Sequence, residues 1–503
     1  MAFTRRYFFF GSLLAGAVPS GGFGSSGSLL RLGYKSPNEK LNIASIGAGG
    51  RAASDIGGCS SENIVALCDV DDNSATRVFS QYEKVPKYKD FRKMLDTEKN
   101  NIDAVIVAIP DFMHATAAIH AMELGKHVYV EKPLVRTVWE ARQIREVANK
   151  YKVATQMGNQ GYSNEGTRQA AEIIWSGELG NVTEVHAWTD RPIWPQGLTK
   201  IPAPTPVVAG LDWDLWLGNA PSRPFTAGGE GYPDHNGYNF YQPFNWRGFY
   251  DFGCGALGDM ACHILGAPNL ALKLGLPTAV ECIKKEGTSD FMFPKKSIIR
   301  FDFPARGNMP PVKLFWYDGL EASPEIPGVP KGEWLGDLPT PGNRAAAGRG
   351  GARPARPAQT PGLVGQVFDY ANYQTVRQDP RPRIPKPDGS VFIGDKGIMT
   401  TGTYGEATRL IPADKMKDYT MPAELLTRSP GHHRDWIRAC KGGDPACSNF
   451  NVAAPFVEWM LLGVIALRVE GKIEYDAAHM KITNNAEANK YLKPVFRKGW
   501  TLT

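Results

Sequence analysis

The sequence predicts an α/β unit built on a doubly wound parallel sheet, followed by an α+β domain built on a mostly antiparallel open sheet. Three observations carry that prediction. An apolar strand at 41–46 runs directly into Gly47-Ala48-Gly49-Gly50-Arg51-Ala52, a glycine turn from which a helix can start. The run Ile102-Asp103-Ala104-Val105-Ile106-Val107-Ala108-Ile109-Pro110 is apolar throughout after Asp103, as a strand covered by helices on both faces must be. Later stretches at 182–189, 278–284, 297–303 and 312–317 alternate imperfectly, which suits an antiparallel sheet with one covered face.

With 503 residues, 42% hydrophobic and 21% charged, the chain is long enough for two domains and a generous core. Its net charge of +6 is spread along the chain, and without a basic tract nucleic acid is not an expected partner. Seven cysteines lack a C-x-x-C pair, so no zinc cage or disulfide framework is indicated, and no metal is expected. A Cys440–Cys447 bridge stays open on sequence grounds. Residues 1–36 form their own region. Arg5-Arg6 precedes the apolar run 10–18 and the small residues Ala15-Gly16-Ala17, the layout of a signal peptide. The paired arginines resemble a twin-arginine export signal, giving an expectation of a periplasmic or extracellular protein. The apolar run falls short of the roughly 20 residues needed to span a bilayer, so no stable membrane span is expected after signal removal. Residues 21–36, rich in glycine and serine, read as a flexible leader.

The glycine turn has the G-x-G-x-x-A spacing of a Rossmann dinucleotide site. Gly47 permits the tight turn, Gly49 lets the backbone approach a pyrophosphate, and the small Ala52 lets helix and strand pack closely. Gly50 and Arg51 complete the loop at the helix N-terminus, which faces the phosphates. A second strand, Ile64-Val65-Ala66-Leu67-Cys68, ends in Asp69 at the spacing of a ribose-binding acid. That carboxylate would accept the ribose hydroxyls and repel a 2′-phosphate, favouring NAD over NADP, although Arg51 and Arg77 pull the other way. Asp69 also reads as a turn residue closing a strand. The domain spans 37–160, with a helical pattern over 111–125, a strand at 126–130 and another at 153–157.

In their order, Gly47 to Ala52, Asp69, Ile109-Pro110-Asp111-Phe112-Met113-His114 and Gly125-Lys126-His127-Val128-Tyr129-Val130-Glu131-Lys132-Pro133 resemble the glucose-fructose oxidoreductase / inositol dehydrogenase family (Gfo/Idh/MocA). The E-K-P segment is the most specific part. The resemblance implies a sugar or polyol oxidoreductase, commonly a dimer or tetramer, with Lys132 near the nicotinamide and the reacting carbon. It also places Pro110, His114, Glu131 and Asn159 among the cofactor contacts. An ammonium beside a hydroxyl undergoing oxidation stabilises developing oxyanion character; the alternative is a surface lysine on a loop.

The resemblance assigns 161–503 to the substrate and oligomerisation domain. There Gly255-Ala256-Leu257-Gly258-Asp259-Met260-Ala261-Cys262-His263 matches a D-x-x-x-H element, which on a helix puts Asp259 and His263 on one face. His263 is the candidate general acid-base and Asp259 its orienter or a substrate ligand; the alternative is a helix-surface pair or a satisfied core histidine. Gln160 and Tyr162 are further substrate candidates, and Asn159-Gln160 equally reads as an ordinary turn. From His432-His433, whose side chains point apart on a helix, His432 is taken as a substrate-pocket histidine. The aromatic-rich stretch 188–250 suits either a carbohydrate cleft or a core. Residues 322–361, rich in proline, glycine and arginine, read as a loop insertion, and a C-terminal helix over 453–470 should return to the Rossmann core.

Three functions compete. One is a dehydrogenase acting on a sugar, glycoside or polyol hydroxyl. Another is a glycoside hydrolase that retains NAD through oxidation, elimination, hydration and re-reduction. The third is a non-catalytic carbohydrate-binding protein.

Overall fold

The computed structural model describes residues 39–228, 240–341, 367–378, 383–384 and 388–502. The expected signal segment and residues 342–361 of the insertion lie outside them. The first sheet has six strands, β1 (Asn42–Ile46), β2 (Asn63–Cys68), β3 (Lys87–Tyr88), β4 (Ala104–Val107), β5 (His127–Val130) and β6 (Thr155–Met157). All pair in parallel, in the order β3-β2-β1-β4-β5-β6. Between the strands run α1 (Gly50–Gly58), α2 (Asp72–Gln81), α3 (Phe91–Glu98), α4 (His114–Glu123) and α5 (Val138–Tyr151). The order reverses between β1 and β4, and the crevice at that switch point is where an open parallel sheet holds its ligand.

After α6 (Glu165–Trp175) the chain builds a nine-stranded second sheet. Its strands are β7 (Val182–Trp188), β8 (Ala279–Glu286), β9 (Lys296–Phe303), β10 (Val312–Asp318), β11 (Gly389–Gly394), β12 (Ile398–Thr401), β13 (Arg409–Ile411), β14 (Lys472–Asp476) and β15 (Lys481–Ile482). Their order is β13-β12-β11-β7-β10-β9-β8-β14-β15, antiparallel except for the β7–β10 pair. On β9 alternate residues are buried, the signature of a sheet covered on one face. That cover includes α7 (Gly255–Ile264), buried along its whole length, and α9 (Phe450–Ala466). Trp459 of α9 meets the rings of Phe301 and Phe303 edge-on.

α9 is the helix expected over 453–470, and it ties the sheet to the first domain. Arg142 of α5 donates from Nε and Nη2 to Glu458, and from Nη2 to the carbonyl of Ala477. α8 (His432–Cys440) also returns to the first domain, placing Trp436 and Cys440 in the core beside β1 and β5. All seven cysteines are unbridged. No helix among the described residues is long and apolar enough to cross a membrane.

The aromatic stretch is largely core. Trp213 and Trp216 stack at 4.7 Å, and Phe112, Tyr241, Phe249 and Phe252 close around them. Just ahead of this cluster, residues 209–212 pair with the turn after β2. Asp72 N–H donates to Gly210 O (3.1 Å), Asp212 N–H to Val70 O (2.9 Å) and Asn73 Nδ2 to Ala209 O (2.8 Å). Residues 322–338 of the insertion are loop.

Candidate functional site

A cleft of about 330 Å³ opens at the switch point. One end is walled by Gly47, Gly49, Gly50, Asp69, Asp71 and Ser74, the other by Pro110, Asp111, Glu131, Lys132, Trp246 and Arg247. At Gly47 φ is +96° and a Cβ would stand 2.3 Å from Ala108 O, so the turn cannot accept a side chain. Gly50, at φ +48°, has nothing within 4 Å of where its Cβ would be. Gly49 caps α1 without a side chain, so the helix N-terminus, with its unsatisfied N–H groups, is left for an anion. A glycine turn, an open helix terminus and an acid at the end of β2 in one cleft fit a dinucleotide. Ala52 is buried behind the turn, its expected packing position.

Asp69 does more than close a strand. Its Oδ2 accepts from the N–H groups of Ala48 (2.9 Å) and Gly49 (3.2 Å), and its Oδ1 from Asp71 N–H (3.0 Å). Burial pushes the carboxyl above its ordinary value, and those three N–H groups hold it down. The residue therefore braces the glycine turn from within the cleft wall, with lone pairs left on Oδ1 for ribose hydroxyls.

At the opposite end, Lys132 follows β5. Its Nζ donates to Asp259 Oδ1 (2.5 Å) and to the Asp259 carbonyl (3.0 Å). Arg247 Nε donates to the same Oδ1 at 3.0 Å. Burial alone would raise the Asp259 carboxyl, but Lys132 and then Arg247 overcome it and hold the group well below the usual carboxylate range. One turn along α7, His263 lies edge-on to Tyr404 at 4.7 Å. Burial and the neighbouring Lys132 charge push His263 down to about 3, so the ring is neutral near pH 7. Its Nδ1 has no hydrogen-bond partner among the described residues. Asp259 and His263 thus share a helix face as expected, but they stand behind Lys132 and Arg247 rather than forming the cleft wall.

Other sequence candidates have supporting positions. Arg51 lines the cleft while its Nε donates to Glu131 (2.9 Å) and its Nη2 pairs with Asp55 (3.1 Å). Arg51 and Lys132 hold Glu131 ionised against its burial. Gln160 Nε2 donates to Glu131 Oε1 and to Tyr129 OH, both at 2.9 Å, so it anchors that ion pair. His114 is fully buried, its ring nitrogens 2.8 Å and 2.7 Å from the carbonyl oxygens of Pro133 and Ile109. It clamps together the two loops that carry Pro110 and Lys132 and does not itself reach the cleft. Asn159, also fully buried, ties β6 to α7 through Cys262 O (3.3 Å), and its Oδ1 has no partner among the described residues.

Two further expectations are corrected. His432 is buried, with Nδ1 2.6 Å from Ser163 Oγ and Nε2 2.8 Å from Met157 O; both nitrogens are spent on the fold, so it is not a substrate-pocket histidine. Tyr162 is 4% exposed, packs on Phe456, and accepts from Asn269 Nδ2 at its hydroxyl; it is a core residue. Sequence reasoning also missed Arg247 and Asp111. Asp111 lines the cleft beside Pro110, and burial raises its carboxyl to about 7 against the pull of Arg247 and Lys132. The only signal for it was its place inside the quoted 109–114 motif. For Arg247 there was none. Among the described residues no cluster of His, Cys, Asp or Glu could hold a metal.

Comparison with known proteins fits this geometry. Residues 41–159 match the family described as "Oxidoreductase family, NAD-binding Rossmann fold", GFO_IDH_MocA. Inositol 2-dehydrogenase of Salmonella typhimurium is 30% identical over 125 residues, 24% of this chain and 37% of that protein. The alpha-N-acetylgalactosaminidase of Shewanella oneidensis is 33% identical over 140 residues, 25% of this chain and 30% of that protein. The chain thus spans about a third of the length of the curated relatives it matches. The fold extends further. The WlbA dehydrogenase from Bordetella pertussis, solved with NADH and UDP-GlcNAcA, superposes with a TM-score of 0.53 at 13% identity over 87% of this chain and 99% of its own. An inositol dehydrogenase homolog from Azotobacter vinelandii, solved with NAD+, gives 0.51 at 15% identity over 88% and 99%. Residues 41–159 accordingly match the NAD-binding Rossmann domain of the Gfo/Idh/MocA oxidoreductase family, and they are set against a separate, mostly antiparallel sheet.

Proposed function

We propose that the protein is an NAD-dependent oxidoreductase acting on a hydroxyl of a sugar, glycoside or polyol. The observation that carries this reading is the Lys132–Asp259 contact, 2.5 Å long, at one end of a cleft whose other end holds the glycine turn and Asp69. NAD, when bound, takes the hydride. Lys132, fixed by Asp259, stabilises the oxygen of the reacting hydroxyl as negative charge develops on it. The proton passes to the Lys132–Asp259 pair that separates the cleft from His263, whose neutral ring stands one turn behind on the same helix face. On this reading NADP is the poorer cofactor, because Asp69 would face its 2′-phosphate. Residues 1–36 would export the protein by the twin-arginine route to the periplasm or beyond, and the second sheet would support a homodimer or homotetramer.

A second reading is a glycosidase that retains its NAD. Two observations favour it: the likeness to an alpha-N-acetylgalactosaminidase over 140 residues, and the pairing of residues 209–212 with the turn beside Asp69. Purified protein with no added cofactor separates the readings, using mass spectrometry for bound dinucleotide and then a panel of sugars, polyols and aryl glycosides. Accumulation of reduced nicotinamide supports the dehydrogenase. Glycoside cleavage without net reduction supports the glycosidase, and bound NAD with neither reaction would sink both in favour of a non-catalytic binder.

A further inference from the structure

We infer that the substrate carries a carboxylate and that Arg247 binds it, so that the preferred substrates are uronic acids or their glycosides. This rests on the reading above and narrows it. Arg247 sits against the rings of Phe244 and Trp246, its guanidinium carbon 4.1 Å and 4.2 Å from their centroids. Its Nε is held by Asp259 at 3.0 Å. Among the described residues no other N–H of this guanidinium has a hydrogen-bond partner, although the side chain is only 16% exposed and lines the cleft. Two ring faces and one anchored N–H thus fix the plane of a planar fork, and the unpaired Nη edge is the part that matches a carboxylate in a bidentate fashion.

The surrounding charges agree. Glu131 is matched by Arg51. Lys132 and Arg247 share the single carboxylate of Asp259. Asp111 also lines this wall, its carboxyl raised by burial against the pull of Arg247 and Lys132. Those two cations thus outnumber the one acid that anchors them, beside the place the proposed reaction gives to the reacting hydroxyl. A neutral sugar would leave the Nη edge of Arg247 without an acceptor from the substrate, whereas a substrate carboxylate supplies two.

The test is calorimetric binding of D-glucuronate, its methyl ester and D-glucose to the NAD-loaded protein, followed by nicotinamide reduction with each. Glucuronate should bind about tenfold to a hundredfold more tightly than glucose or the ester, the range of a charge-assisted hydrogen-bond pair. In Arg247→Gln that preference should vanish, the glucuronate-to-glucose affinity ratio falling to within about threefold of one. In Arg247→Lys, which keeps the charge but loses the fork, it should be partly retained. Equal binding of all three sugars by the unaltered protein overturns the inference whatever the variants do. So does an Arg247→Gln protein that loses NAD affinity instead, because the guanidinium would then serve the dinucleotide. If glucose or another neutral sugar reduces the nicotinamide without any preference for the acid, only this inference fails; if no sugar binds or reacts, the oxidoreductase reading fails with it.

Discussion

Replacing Lys132 by methionine separates the ion pair's contribution to the fold from its contribution to chemistry. The Asp259 side chain is 7% exposed, and its Oδ1 accepts from Lys132 and Arg247. Removing one partner of a buried pair costs about 3–5 kcal/mol. Because Arg247 remains on the same oxygen, the lower end applies, about 3 kcal/mol, or roughly 6–10 °C in Tm for a domain-sized cooperative unit. Turnover should fall further, by about 10²–10³, since the cation facing the developing oxyanion is gone. Differential scanning calorimetry reads the first effect and nicotinamide absorbance the second. The double variant Lys132→Met/Asp259→Leu removes both charges and should recover most of the lost stability while staying inactive. If Lys132→Met keeps its Tm within about a degree and its turnover within about threefold, Lys132 neither pairs with Asp259 nor faces the substrate, and the argument for the site collapses.

Three further outcomes are expected. Asp69→Ala removes the acceptor of the Ala48 and Gly49 N–H groups and should weaken NAD binding about tenfold to a hundredfold by calorimetry; unchanged binding would remove Asp69 from the cofactor site. The Asp111 carboxyl, raised by burial from 3.8 to about 7, binds more protons folded than unfolded between those values, so it weakens the fold progressively as pH rises from about 4 to about 7. Asp111→Asn should therefore raise Tm at about pH 8 and leave it nearly unchanged at about pH 4; a gain confined to acid pH contradicts the assignment. His432, pushed down to about 3 by burial and by His433, gives the opposite slope, its stabilisation being lost as pH falls from about 6.5 towards 3. His432→Ala should lower Tm and leave KM alone, and a selective rise in KM would restore it to the substrate site.

What the sequence discloses of this molecule is local. The G-x-G-x-x-A turn and Asp69 close the ends of two adjacent parallel strands, so motif and geometry coincide there; Lys132 is marked by its own motif ahead of a proline, although its partner Asp259 lies 127 residues on. Asp259 and His263 could be placed on one face because four residues make about one helical turn. Arg247 could not be found this way. Its role depends on meeting Asp259 after the chain has turned through Gly248–Gly253, and on Phe244 and Trp246 fixing its plane. His432 misled for the same reason, since its partners, Ser163 and Met157, are more than 260 residues away. The aromatic stretch was equally undecided, because a ring suited to stack on a sugar is equally suited to fill the space around Trp213 and Trp216.

The segment at 209–212 is anchored to the turn beside Asp69 by backbone hydrogen bonds, with Lys89 Nζ adding a further contact to Gly210 O at 3.0 Å. The following Leu215 and Trp216, together with Trp500 near the C-terminus, border the same end of the cleft. The pairing of 209–212 therefore helps to hold Leu215 and Trp216 in place. Were a molecule bound at Asp69 to leave past them, its residence time would carry the steep temperature dependence of local unfolding rather than the shallow one of simple desorption. Strengthening the pairing would lengthen residence without altering a single atom that touches the bound molecule.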